Sequence, residues 1–61
     1  MTEHKAAQIA NMVYKAAYAK QMTAKEAFKI LDKLEPYMSG AQLIKYNDFS
    51  YAARHNPDFF A

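Results

Sequence analysis

Two helix-start phrases, sixteen residues apart, constrain this chain more than any other feature: Met22-Thr23-Ala24-Lys25-Glu26-Ala27-Phe28 and Met38-Ser39-Gly40-Ala41-Gln42-Leu43-Ile44. Each reads as a capping box. The hydroxyl of Thr23 or Ser39 accepts the backbone N–H three residues on, while Glu26 or Gln42 reaches back to the cap residue's own N–H. The preceding Met22 or Met38 supplies the apolar half of a hydrophobic staple, with Leu43 the better partner, for Met38. Helices are therefore expected to begin at Ala24 and Gly40.

A third start lies at Thr2, with Glu3 in the first turn, where the helix dipole favours an anion. From there the expected helix runs over about 3–20. At about 100° per residue, Ala6, Ile9, Ala10, Val13, Ala16 and Ala17 share one arc, and His4, Gln8, Asn11 and Lys15 lie opposite. Small Ala side chains on that arc allow a second helix to approach closely. The second helix, about 24–35, has the cleanest pattern: Ala24, Ala27, Phe28, Ile30, Leu31 and Leu34 against Lys25, Glu26, Lys29, Asp32 and Lys33. Pro36 disfavours helical geometry at Glu35 and should end it. The third helix is expected over about 40–56, stopped by the turn signal Asn56-Pro57-Asp58 and followed by the apolar tail Phe59-Phe60-Ala61.

That third helix has two apolar faces. One arc carries Leu43, Ile44 and Tyr51 with Asn47 in its middle, and another side carries Tyr46, Phe49 and Ala53. Either the helix is sandwiched between its own bundle and a second surface, or it breaks near Asn47-Asp48 with Asp48 capping a fourth short helix near Asp48–Asn56. No run alternates in the manner of a strand. The expected fold is all-α, a compact three-helix bundle forming a single domain over residues 1–61.

A chain of 61 residues buries only about 60% of its unfolded surface. Twelve residues are Ala and only eleven are Leu, Ile, Val or Phe, so the core is thin. With a net charge of only +2 and good helix punctuation, the balance still favours folding over disorder. Marginal stability makes association with itself or a partner a natural expectation. The absence of Cys rules out disulfides, thiolate zinc sites and a thiol nucleophile. No apolar run approaches the roughly 20 residues that span a bilayer, and the N-terminus has no signal-peptide core. These features lead us to expect a cytoplasmic, complete small protein with no membrane partner.

Catalysis has little to build on. His4 and His55 fall in no triad or metal-ligand spacing, and the lone Gly40 excludes a glycine-rich phosphate loop. Glu26 is explained as a cap, and Glu3, Asp32, Glu35, Asp48 and Asp58 show no paired spacing. The expectation is a non-enzyme with no cofactor and no metal site.

The aromatic distribution points instead to protein contacts. Tyr14 and Tyr18 are i, i+4 neighbours on a flank of helix one, and aromatic side chains with few flanking charges suit interface hot spots. Their other possible role is to pack on the Phe59-Phe60 tail and close the bundle. Together with Tyr46, Phe49 and Ala53 as the second face of helix three, and Phe59 and Phe60 of the tail, they describe a protein-interaction module. Its expected role is regulator, adaptor or inhibitor of a larger complex, self-associating as a homo-oligomer. On that reading, Phe49→Ala changes the oligomeric mass and leaves helicity largely intact.

A second reading is a helix-turn-helix binder of DNA or RNA. It would use Gln42, Lys45 and Tyr46 to read bases and the Lys25/Lys29/Lys33 ladder to track phosphates. A single Arg, the small charge surplus and the acids Glu26 and Asp32 beside the ladder weigh against it, despite a pI of about 9.0. A third reading is a small-ligand site, such as one for a nucleotide, made from Tyr and Lys side chains at a subunit interface.

Overall fold

Three hydroxyl side chains set the helix starts in the computed structural model, which describes every residue from Met1 to Ala61. Thr2 accepts the N–H of Lys5 and begins α1, Glu3–Tyr18; Thr23 accepts that of Glu26 and begins α2, Ala24–Leu34; Ser39 accepts that of Gln42 and begins α3, Gly40–His55. At Thr23 the box is complete, because the Glu26 carboxylate also accepts from the Thr23 N–H and hydroxyl. At Ser39 only half of it forms. Gln42 lies on the buried arc of α3, so its side chain points into the bundle and leaves the Ser39 N–H. Of the expected Met38/Leu43 staple, Met38 joins the core and Leu43 stays substantially exposed.

Helix α1 stops two residues short of Lys20. The chain leaves it through a Schellman turn: Gln21 N–H donates to the Ala16 carbonyl (2.8 Å) and Lys20 N–H to that of Ala17 (3.2 Å). This turn places Lys20 at φ 60°, the left-handed region where glycine is usual. A non-glycine residue there costs about 1–2 kcal/mol. Part of that cost is offset because the Lys20 ammonium lies 4.7 Å from the centre of the Phe59 ring, a contact worth about 0.5–1 kcal/mol. The turn after α1 is thus tied to the C-terminal tail.

Helix α2 ends at Leu34, but not because Glu35 is pushed out of helical geometry. Glu35 keeps φ −52° and ψ −44°, and the chain continues as a 3₁₀ turn over Glu35–Tyr37, closed by Met38 N–H on the Glu35 carbonyl. What Pro36 removes is an N–H, and the α-helical ladder stops for lack of it. Helix α3 runs unbroken from Gly40 to His55, so no fourth helix starts at Asp48. Asn47 and Asp48 both face solvent in mid-helix, where their side chains disturb nothing.

The three helices pack in two different ways. The closest backbone approach is between α1 and α2, and Ala6, Ala10 and Ala17 of α1 and Ala27 of α2 are fully buried. Helix α3 stands farther off, and aromatic rings fill the gap. Phe49, 2% exposed, has its ring centre 5.4 Å from Tyr14, 5.3 Å from Phe28 and 5.4 Å from Phe60. With Leu31, Leu34, Val13 and Met38 these side chains complete one core. The tail belongs to that core: Phe60 is buried, and the Ala24 N–H at the start of α2 donates to the Phe60 carbonyl at 2.8 Å. The radius of gyration of 10.8 Å is close to the roughly 10.5 Å of a compact chain of this length, as expected with the tail folded back.

Candidate functional site

The residues expected to form a contact surface are brought together, but mostly on the inside. Tyr14, Tyr18, Phe49 and Phe60 form a chain of ring contacts, with Tyr18 5.3 Å from Phe60 and 6.0 Å from Phe49. Phe28 and Tyr46 extend it, their rings stacked 6.2 Å apart. Phe49, Ala53 and Phe60 are each at most 8% exposed, which removes them from any surface. The expectation that Tyr46, Phe49 and Ala53 are the outward face of α3 is therefore corrected: that arc is the inward one. The physical reason is that α3 stands away from the other two helices and the rings on this arc bridge the gap, Phe49 meeting Tyr14 of α1, Phe28 of α2 and Phe60 of the tail.

The outward surface of α3 is consequently its other apolar arc. Ile44 is 65% exposed, Tyr51 60% and Leu43 43%, and exposed Asn47 lies between them. At i, i+3, i+4 and i+7 or i+8 these four share one side of the helix. Tyr51 is steadied by the His55 ring, 4.0 Å away. A shallow depression of about 290 Å³ beside this arc is lined by Glu35, Leu43, Tyr46, Asn47 and Ser50. Each arc carries an amide, exposed Asn47 on this one and buried Gln42 on the inward one, so amide position alone does not separate them.

Tyr46 sits at the boundary of the two arcs. Its hydroxyl donates to Asp32 Oδ1 on α2, and burial, this bond and the negative charges of Asp32 and Glu35 push its ionisation well above the usual 10.0. Tyr14 is also raised, by burial and then by Tyr18. In both cases the folded state holds the phenol proton more tightly than the unfolded chain. Their contribution to stability is thus complete below about pH 10 and declines as pH rises above it. Urea midpoints measured between pH 8 and 11.5 should fall over that range, and Tyr46→Phe should flatten the fall. An unchanged alkaline limb in that variant would assign the effect elsewhere.

Of the residues expected to read bases, Gln42 is 8% exposed and its Oε1 has no hydrogen-bond partner inside the bundle. Tyr46 is engaged with Asp32. Lys25, Lys29, Lys33 and Lys45 remain exposed, with Glu26 and Asp32 exposed beside the ladder. A depression of about 320 Å³ does bring Tyr14 and Tyr18 together with Lys45, the combination considered for a nucleotide. Asp48 is also on its wall and opposes a phosphate there.

His4 lies in the first turn of α1 and His55 in the last turn of α3, and no three His, Cys, Asp or Glu side chains gather as metal ligands. No helix is long and apolar enough to cross a membrane. Comparison with protein families, curated proteins and solved structures finds no match to this chain.

Proposed function

We propose that this chain is a non-enzymatic protein-interaction module, a small regulator, adaptor or inhibitor of a larger protein complex, that makes contact through the outer arc of α3. One observation carries the reading: Leu43, Ile44 and Tyr51 stay exposed on one side of a helix whose other side already supplies the core. Single exposed apolar residues are ordinary, but a contiguous group on a rigid element suits a partner surface. Asn47 lies in the middle of the arc, and exposed Asp48 marks its charged edge.

The test is capture from extract of the native host by immobilised protein, comparing the natural sequence with Ile44→Lys and with Lys29→Glu. Both substituted positions are exposed, so both variants should fold. A protein partner should be retained by the natural sequence and by Lys29→Glu, and lost by Ile44→Lys. Equal capture by all three removes the outer arc as the contact surface. Loss confined to Lys29→Glu, together with co-purifying nucleic acid, would favour the lysine ladder instead.

A further inference from the structure

We infer that the depression between one flank of α1 and the middle of α3 is a binding site for a free amino acid with an aromatic side chain. It has a volume of about 320 Å³ and is lined by Asn11, Tyr14, Tyr18, Lys45, Asp48 and Phe49. That is the small end of the roughly 300–1,000 Å³ range of ligand pockets, and it suits one small molecule rather than a segment of chain. Three features of the lining select the occupant.

The first is charge. Lys45 and Asp48 are both exposed and stand three residues apart on α3, which sets their Cβ atoms about 5–6 Å apart on the same wall. Cation before acid is the weaker order for pairing within a helix, so this pair competes little with a ligand. A phosphate or a simple carboxylate is attracted by Lys45 and opposed by Asp48, and a simple amine meets the converse. A zwitterion satisfies both. In an α-amino acid the carboxylate and the ammonium sit on one carbon, and the long Lys45 arm reaches the first while Asp48 holds the second. Lys15 is the other charge on this flank of α1; exposed and off the lining, it adds to the attraction for the carboxylate.

The second feature is the apolar wall. The rings of Tyr14 and Tyr18 stand 5.4 Å and 6.0 Å from that of Phe49, and Tyr18 keeps half of its surface exposed, so a flat ring can lie against it. The third is an unpaired donor. The Tyr14 hydroxyl is buried and has no hydrogen-bond partner, and a carboxylate drawn in by Lys45 brings an acceptor to the wall that carries it. The Asn11 amide adds a donor and an acceptor at the α1 rim.

An open site of this size holds an amino acid with a dissociation constant of about a millimolar. The test is a titration of isotope-labelled protein, followed by amide NMR shifts, with L-phenylalanine, its amide and its N-acetyl derivative. Mildly acidic conditions keep the ammonium charged where one is present. L-phenylalanine should shift the amides of residues 11–18 and 45–49 and should bind about threefold to fivefold more tightly than either derivative. Lys45→Gln should close the gap between the amino acid and its amide, and Asp48→Asn the gap to the N-acetyl derivative, while Lys15→Gln leaves both gaps open. Tyr14→Phe, which keeps the ring, should weaken L-phenylalanine about threefold without loss of thermal stability. Binding of either derivative as tight as that of the amino acid overturns the inference, as does an absence of shifts at residues 11–18 and 45–49 up to the solubility limit. The site stands apart from the outer arc, whose own test is protein capture, so either can fail without the other.

Discussion

Phe49→Ala is expected to abolish the cooperative fold rather than to alter an interface. Its ring is the largest fully buried side chain and the one that Tyr14, Tyr18, Phe28 and Phe60 all converge on. Truncating a buried Phe to Ala costs about 3–5 kcal/mol through lost transfer energy and the cavity left behind. A domain of this size rarely has more than about 3–5 kcal/mol in total. Loss and reserve are of the same size, so the variant should be largely unfolded at 25 °C. The measurement is far-UV circular dichroism with a thermal scan. The natural chain should melt in one sigmoidal step, and the variant should show reduced helicity and no pretransition baseline. A variant that melts within a few degrees of the natural chain would mean that Phe49 does not hold α3 to the bundle. This outcome is the opposite of what the helical wheel alone suggests for Phe49, where loss of mass with helicity intact is the natural expectation.

That reversal shows where sequence reasoning stops. Helix starts were legible because a cap is a local event: Thr2, Thr23 and Ser39 need only the N–H three residues ahead, and all three helices begin where those residues place them. The buried face of α2 was legible for a similar reason, since it has a single apolar arc, whereas on α1 the Tyr14 and Tyr18 flank allowed two roles. Helix α3 has two arcs of similar apolar character, and choosing between them requires knowing what opposes them. The rings of Tyr14, Phe28 and Phe60 receive the arc with Phe49, a decision made by the volume between helices and invisible in a single helix. The end of α1 was missed because its Schellman turn uses Lys20 in place of the expected glycine, with no local mark of the change. The site moved with the arc. Leu43, Ile44 and Tyr51 form a recognisable face in the sequence, and only their assignment to core or surface depends on the rest of the molecule.

The tail gives the second large effect, and the two adjacent phenylalanines separate it cleanly. Phe60 is 4% exposed and its ring lies within 5.4 Å, centre to centre, of Tyr18, Phe49 and Phe59, whereas Phe59 is 40% exposed and leans on Lys20 from outside. Phe60→Ala is expected to cost about 3 kcal/mol, at the low end for a buried Phe because the tail can relax around the gap. Phe59→Ala should cost about 1 kcal/mol or less, since it loses partial burial and an exposed cation–π contact. Urea titration of both variants checks the difference, and limited proteolysis adds a local reading. Undocking residue 60 also frees the Ala24 N–H from the Phe60 carbonyl, so the segment after Asn56 and the first turn of α2 should become cleavable together in Phe60→Ala and stay protected in Phe59→Ala. Equal destabilisation by the two substitutions would mean that the tail rests on the bundle as a loose apolar strip, with no seat specific to Phe60.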